Sequence, residues 1–416
     1  MTVADAAGVR RANRGRMLAE LGCGGALSRS ELARRLGLSL MAVMRIADEL
    51  IEVGLVHERA PVLRSDLPGR PPAELALNPS GAYVLGFTFH AFEQSLALMD
   101  LTGRVLRRVP IRLSEIGQDR RSLKEAADQA RSQIRALRID PARVLGAGVA
   151  VTGTVDTARG VLIQSPYLGW SGLDVAKALT ERLAMPVIVE GTSQSLLAAE
   201  ARGARATLRN AALFNIGFAI GGGLLVDGRI ARGASFQAGQ IAHMLMAEPS
   251  RICSCGRRGC LNTVGSGWAA LADLGLVDGS VVSPASFREH RAELAQLLRR
   301  EQEGDAEACR ALRRAGAMVG RAVRQLHAVI DPARIFLAGP VGHTLSFIDG
   351  VREGFGSDAP ALIERCEREL HAAAAALAMD TFVLSPQLDF DRLRRARARA
   401  RRWNSAAERQ KLATAS

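Results

Sequence analysis

The sequence predicts an α/β protein in which a winged helix-turn-helix precedes two related lobes. Three observations predict it: three closely spaced apolar-periodic segments in the first eighty residues, an α/β pattern opened by a hairpin that occurs twice, and a cysteine cluster inside the second occurrence. With 416 residues and 48% hydrophobic content, the chain is long enough for two or three domains with a sizeable core.

Apolar periodicity places the first helix at Ala12–Leu21. The second, Ser30–Leu36, follows Ser28-Arg-Ser-Glu31, which has capping-box spacing. Gly37-Leu38-Ser39 turns into the third helix, Leu40–Val53, where Val43, Ile46, Ala47 and Leu50 share one face and Gly54 stops the helix. Helix, glycine-bearing turn and helix is a helix-turn-helix unit, and Leu55–Arg59 with Ala73–Leu77 supply the strands of a wing. In a DNA reader the third helix enters the major groove by its N-terminal end. Ser39, Leu40, Met41, Met44 and Arg45 stand there, with Asp48, off the core face. Arg45 suits guanine or phosphate, while Leu40, Met41 and Met44 suit thymine methyls. Pro68-Gly-Arg-Pro-Pro72 holds Arg70 in an extended segment narrow enough for a minor groove. The competing readings are a small helical interaction domain and, for the prolines, a stiff linker.

From Tyr83 the period changes to two. Tyr83–Phe89, Gln94–Met99 and Val105–Leu113 read as strands, Leu123–Leu137 as a helix and Val144–Val151 as an apolar strand. Near residue 211 the pattern recurs. Ala212–Ile220 and Gly223–Val226 pair and run into Val226-Asp-Gly-Arg-Ile-Ala-Arg232, much as the first copy runs into Met99-Asp-Leu-Thr-Gly-Arg-Val-Leu-Arg107. Two such lobes would hold a ligand in the cleft between them.

Within the second copy, Cys253-Ser-Cys-Gly-Arg-Arg-Gly-Cys260 follows His243 by ten residues. Three thiolates and an imidazole are the ligand set of a closed structural zinc site, and Gly256 and Gly259 let the backbone turn tightly around an ion. Reduced surface thiols are the alternative. Cys23, Cys309 and Cys366 are scattered and read as ordinary core or helix thiols, a usage that fits a reducing cytoplasm. Met1–Arg16 has no apolar core of a signal peptide, and no apolar run reaches the length of a membrane span, so no membrane partner is expected. Of the net charge of +13, residues 391–416 contribute nine Lys/Arg against two Asp/Glu, a basic run that either holds phosphates or is a solvated tail.

Several motifs carry a resemblance: Asn13-Arg-Gly-Arg-Met-Leu, Gly69-Arg-Pro, Asn78-Pro-Ser-Gly-Ala-Tyr-Val-Leu-Gly86, Gly221-Gly-Gly223, Ala238-Gly-Gln-Ile-Ala-His243 and the cysteine run. On these the chain resembles the ROK family (repressors, open reading frames and sugar kinases), in its regulator branch, from about residue 10 to about residue 345. The resemblance implies an actin-like, ribonuclease-H-like pair of lobes. The expected domains are a winged helix-turn-helix over 1–62, a wing or linker over 63–80, a two-lobed domain with the zinc loop over 81–389 and a basic tail over 390–416. The resemblance also implies that His243, Cys253, Cys255 and Cys260 hold Zn2+ in a structural role.

The family's kinases carry an Asp-x-Gly-Gly-Thr phosphate loop. The matching stretch is Thr88-Phe-His-Ala-Phe92, where Thr88 replaces the acidic residue, His90 and Ala91 replace glycines, and Phe92 removes a hydroxyl. Aligned on Glu190 and Glu200, Thr192 stands where the family has its catalytic Asp, and a threonine hydroxyl is no general base near neutral pH without a stronger base of its own. No catalytic residue and no ATP are therefore expected. The family's sugar-gripping Glu residues are Gln240 and Asn262 here, and its sugar-site Asn is Tyr167. Amides keep hydrogen bonding and lose the charge-assisted kind, so either the ligand differs from a plain hexose or effector binding has weakened. The implied effector site is Tyr167, Thr192, Gln240, His243 and Asn262. The expectation is a cytoplasmic repressor of carbohydrate-related genes that binds a double-stranded DNA operator and a sugar or sugar-derivative effector as a homodimer or homotetramer. The alternatives are an ATP-dependent sugar kinase with a DNA-binding arm and a ligand-independent DNA-binding protein.

Overall fold

The computed structural model describes residues 6–59, 73–90, 93–111, 119–204, 207–246, 251–283, 289–356 and 362–399. The Gly69-Arg-Pro motif with Arg70, the pair Ala91 and Phe92, and the basic tail from residue 400 lie outside the described residues.

Three helices open the chain: α1 (Ala6–Gly24), α2 (Arg29–Leu36) and α3 (Leu40–Glu52). Ser28 caps α2 by accepting from the Glu31 backbone N–H at 3.2 Å. The reciprocal half of the expected capping box gives way to ion pairs, because the Glu31 carboxylate binds Arg34 and Arg35 at 2.6 Å each, and charge-assisted bonds outcompete a bond to a neutral N–H. Gly37 takes the left-handed conformation (φ 64°) that lets the chain reverse into α3, and Ser39 caps that helix through the Ala42 N–H at 3.3 Å. Val43, Ile46, Ala47 and Leu50 are buried as the periodicity requires. Gly54 (φ 80°) closes α3, and the Leu55 N–H returns to the Leu50 carbonyl at 2.9 Å. Strands β1 (Leu27–Ser28), β2 (Val56–Arg59) and β3 (Glu74–Leu77) form an antiparallel sheet in the order β1-β3-β2, which is the wing.

The described residues divide into two units, the first from parts of Met1–Ala150, Asp174–Val189 and Ala374–Ser416, the second from Val151–Leu173 and Glu190–Ala373. In the first, β4 (Tyr83–Phe89), β5 (Gln94–Asp100), β6 (Val105–Pro110) and β7 (Val144–Val151) follow the arm. Strand β6 ends at Pro110, the Ile111 N–H still bonds the Gln94 carbonyl at 2.9 Å, and residues 112 and 113 of the expected Val105–Leu113 strand lie outside the described residues. Helix α4 (Asp119–Ala136) lies between β6 and β7. Next along the chain come β8 (Thr154–Asp156), β9 (Val161–Ser165) and β10 (Trp170–Asp174), a small sheet of the second unit, then α5 (Val175–Leu183) and β11 (Val187–Gly191), which return to the first unit, and α6 (Thr192–Gly203) of the second.

The second unit holds β12 (Ala211–Ile216), β13 (Ile220–Val226), β14 (Arg229–Ile230), β15 (Arg334–Ala338) and β16 (Ile363–Arg365). The expected strands Ala212–Ile220 and Gly223–Val226 are corrected here. Ile216 pairs with Ile220, so Gly217–Ala219 is the hairpin turn, held by the Gly217 N–H on the Ala219 carbonyl at 3.0 Å. The repeat inferred from the sequence is present in the topology. One five-stranded sheet runs β6-β5-β4-β7-β11 and the other β14-β13-β12-β15-β16, the same order of succession along the chain. β7 is buried at every residue, as a strand covered on both faces must be. In the second unit, helices Ala306–Ile330 and Leu345–Phe355 cross at Gly316, Gly320, Gly350 and Gly354, where any Cβ would collide with a carbonyl of the opposite helix.

The start of the arginine-rich tail is a helix over 390–399 that packs on the first unit. Leu393 is fully buried. The Arg392 guanidinium donates to the carbonyls of Pro141 (2.9 Å), Ala142 (3.1 Å) and Ala184 (3.4 Å). Phe390 lies between Arg14 of α1, 4.1 Å from its ring centre, and Arg394, at 5.0 Å. Arg394 also reaches Glu52 at the end of α3 at 3.6 Å.

Candidate functional site

A cavity of about 200 Å³ lies in the second unit, and every residue lining it belongs to that unit. The cavity is built from one unit's own strands and loops. The volume is below the roughly 300–1,000 Å³ of sites for drug-sized molecules, which suits a small polar ligand.

Backbone geometry shapes its walls. Gly153 has φ 136°, and a Cβ there would collide with the Gln164 carbonyl, so the strand-to-strand turn that carries Thr152 and Thr154 into the wall requires glycine. Gly221 and Gly222 of β13 leave no room for side chains against Ser193 Oγ and the Gly239 carbonyl, which draws the start of α6 and the 232–243 loop together. The glycine run therefore serves close packing. Helix α6 begins on Gly191 without a side-chain cap, and Thr192, Ser193 and Gln194 line the cavity. Its first N–H groups carry the positive end of the helix dipole.

Tyr167, Thr192, Gln240, His243 and Asn262, read from separate stretches of sequence, all line this cavity. The Asn262 side chain is buried and its Oδ1 accepts from the Ile220 N–H at 2.9 Å. Gln240 donates from Nε2 to Thr154 Oγ1 at 3.1 Å. Burial pushes the Tyr167 phenol up to about 12, against hydrogen bonds with Ser254 and Asn262, so it is neutral at physiological pH.

Sequence reasoning used Glu190 only as an alignment anchor and Arg232 only as part of a repeat, and so missed their pairing. Glu190 is 3% exposed, and its carboxylate accepts four bonds. Oε2 takes Arg232 Nε at 3.1 Å and Nη2 at 2.5 Å, while Oε1 takes Thr157 Oγ1 at 3.0 Å and the Gly191 N–H at 3.1 Å. Position 232 lies 42 residues away, and no short motif links the two.

His243, Cys253, Cys255 and Cys260 come together beside the cavity, with ligand atoms all within 4.8 Å of one another. The segment after His243 pairs antiparallel with the end of the cysteine run: the Leu261 N–H meets the Met244 carbonyl at 2.8 Å, and the Met246 N–H meets Gly259 at 2.9 Å. Gly256 (φ 84°) and Gly259 (φ 74°) make the left-handed turns that aim the thiols inward. Cys253 Sγ is 3.5 Å from His243 Nδ1, and Cys255 Sγ is 3.7 Å from Cys260 Sγ. A tetrahedron with metal–sulfur bonds of about 2.3 Å and metal–nitrogen bonds of about 2.0 Å has S···S edges of about 3.8 Å and S···N edges of about 3.5 Å. The four residues fit a metal ion. Burial raises the Cys255 thiol, but hydrogen bonds from Arg257 and the neighbouring thiols outweigh it and bring Cys255 to about 7. Burial and the other two thiols push Cys260 up to about 12.

The phosphate-loop position is elsewhere. Thr88 is fully buried inside β4, and its Oγ1 has no hydrogen-bond partner among the described residues. His90 and Glu93 exchange backbone bonds at 3.0 and 3.2 Å to close the β4–β5 hairpin. In the arm, Leu40, Met41 and Met44 are 51%, 65% and 42% exposed, on the same side of α3 as exposed Ser39, Arg45 and Asp48. Val43, Ile46, Ala47 and Leu50 fix the opposite side, and Glu49, one turn on from Arg45, is buried and ion-paired with Arg10 and with Arg14, the latter at 2.5 Å.

Comparison with known proteins gives a consistent picture. The profile described as "ROK family" matches residues 95–374. The chain is 24% identical over 248 residues to the xylose repressor of Caldicellulosiruptor bescii, covering 59% of this chain and 61% of that protein's length. It is 24% identical over 325 residues to the DNA-binding transcriptional dual regulator NagC of Escherichia coli K12, covering 76% of this chain and 77% of the regulator. Among solved structures, a ROK family transcriptional regulator described as a homologue of the E. coli MLC protein superposes with a TM-score of 0.71 at 22% identity, over 94% of this chain and 99% of that one. That likeness establishes the fold, the two-lobed actin-like architecture with an N-terminal arm.

Proposed function

The chain belongs to the ROK family, and we propose that it is a DNA-binding transcriptional regulator, a repressor of carbohydrate-related genes, whose ROK domain binds a sugar-type effector without catalysis. The observation that carries this reading is the winged helix-turn-helix ahead of the family domain, with Leu40, Met41, Met44 and Arg45 exposed in the N-terminal half of α3. The printed names of the relatives, xylose repressor and transcriptional dual regulator, support it. Thr192 at the head of α6 supplies no carboxylate to deprotonate a sugar hydroxyl, which argues against phosphoryl transfer and against a role for ATP.

In this reading Ser39, Leu40, Met41, Met44 and Arg45 face the major groove of an operator, Arg70 reaches the adjacent minor groove, and a homodimer or homotetramer presents paired arms to a two-fold site. Tyr167, Thr192, Gln240 and Asn262 bind the effector. His243, Cys253, Cys255 and Cys260 hold a structural Zn2+ that fixes the loop carrying Gln240 and Asn262. The effector changes DNA affinity to the extent that it binds the two arm arrangements unequally. A gel-shift with the DNA upstream of the protein's own gene, run with and without a sugar panel, tests the proposal. Retardation altered by at least one sugar is expected. No retardation, or ATP-dependent phosphorylation of a panel sugar, overturns it.

A further inference from the structure

We infer that the helix over 390–399, docked against the arm, forms a second DNA-contact surface, on which Arg143, Arg395, Arg397 and Arg399 meet backbone phosphates outside the bases that α3 reads. The inference rests on the regulator reading above and extends its DNA interface from the helix-turn-helix to the base of the arm.

The arginines of this helix divide by what they touch. Leu393 and Ala396 are buried, Arg392 donates to three backbone carbonyls, and Arg394 is taken up by Phe390 and Glu52. Those contacts hold the helix in place. Arg395 and Arg399 stand one turn apart on its outer side, exposed and with no carboxylate partner among the described residues. Arg397 turns instead toward Gly54, the residue that closes α3. A Cβ on Gly54 would lie 2.9 Å from Arg397 Nη1 and 3.7 Å from Arg143 Nη2, so the two guanidiniums approach the same point. Arg143 donates from Nη1 to the Gly81 carbonyl at 2.6 Å, and neither arginine is paired with a carboxylate among the described residues. Burial pulls the Arg143 guanidinium below its ordinary range, and the Arg397 charge adds to the pull. Like charges gathered this closely repel one another, and an anion placed among them removes the repulsion.

Position identifies the anion. Gly54 ends the helix whose other end is proposed to enter the major groove, and the 13 residues of α3 span roughly 20 Å. That length is about half of a duplex turn of about 34–36 Å. A duplex carries one negative charge per about 1.7 Å of its axis, so an arm seated in the groove brings its Gly54 end to the flanking backbone. Guanidiniums suit phosphate through paired N–H bonds, and a row of arginines without amide or hydroxyl neighbours reads charge and not sequence. Docking makes the row effective, because the helix is already ordered against the arm before DNA arrives.

Fluorescence anisotropy on the full-length, zinc-loaded protein tests this with two labelled duplexes of equal length, the DNA upstream of the protein's own gene and a scrambled version of it, each titrated over a series of salt concentrations. The triple variant Arg395→Gln/Arg397→Gln/Arg399→Gln should weaken binding to both duplexes by at least about tenfold at about 100 mM salt, and should reduce the slope of log K against log salt by about two to three. Arg143→Gln should reduce the slope by about one. Arg45→Ala, in contrast, should act mainly on the upstream duplex, which separates base reading from backbone contact. Should the triple variant unfold more readily than the wild type, Arg395→Gln/Arg399→Gln changes two exposed side chains alone and should still reduce the slope by about two. A salt slope unchanged in these variants, with DNA binding retained, overturns the inference and leaves the regulator reading intact. So does a loss of affinity confined to the upstream duplex, which would make these arginines readers of sequence. If the wild-type protein binds neither duplex, the regulator reading itself falls and takes this inference with it.

Discussion

Glu190 and Asn262 illustrate how a single side chain changes what a cavity recognises. Both are buried and hydrogen-bonded within the protein, Glu190 through four bonds to Arg232, Thr157 and Gly191, Asn262 through its Oδ1 to the Ile220 N–H. An amide in place of a carboxylate costs little folding stability when its oxygen is satisfied, but it withdraws the charge that would grip a hydroxyl. His243 and the three cysteines show the opposite, with four ligand atoms gathered into one cluster and tuned by their mutual proximity. Because Cys260 is pushed up to about 12, it is protonated in the metal-free protein at neutral pH, and metal binding must displace that proton. Apparent zinc affinity should therefore fall by at least about tenfold for each unit the pH drops between 8 and 6. Competition with a chromophoric chelator at several pH values checks this, and a flat profile would contradict it. Native mass spectrometry should find one zinc per chain, and Cys260→Ser should abolish it and lower the melting temperature.

Helix α3 separates the residues that anchor it from those proposed to read DNA within four turns. Ser39 caps it, and Val43, Ile46, Ala47 and Leu50 anchor it, while Arg45 is exposed. Ser39→Ala should cost about 1 kcal/mol of stability in urea unfolding through loss of the cap. Arg45→Ala should leave the unfolding midpoint unchanged and weaken operator binding by about 1–3 kcal/mol, the worth of one base-reading contact. Unchanged DNA affinity for Arg45→Ala would assign base reading to another element. Helices Ala306–Ile330 and Leu345–Phe355 place glycines where their backbones meet, so a change such as Gly320→Leu has no rotamer that relieves the clash.

For the whole molecule, the helix over 390–399 matters more than its composition indicated. Truncation after Phe390 removes fully buried Leu393 and the Arg392 bonds to Pro141, Ala142 and Ala184. The truncated protein should unfold with at least about 2 kcal/mol less stability. An unchanged midpoint would return the segment to solvent. Much of the rest was legible in the chain because it rests on local physics. Helical and strand periods, the caps at Ser28 and Ser39, the glycine at Gly37 and the cysteine spacing act over a few residues, and the duplicated strand order follows from repeating the same local elements. The pairing of Glu190 with Arg232, the commitment of Asn262 to Ile220 and the docking of Arg392 depend on residues brought together across 42 to 251 positions. An arginine helix has the same periodicity whether it is solvated or packed, and an amide in a motif looks the same whether its oxygen is free or spent. The sequence alone determined the arm, the repeated lobes and the metal cluster. Only the tertiary structure decided which cavity groups still have hydrogen bonds to offer, because that depends on the partners each side chain finds once the chain has folded.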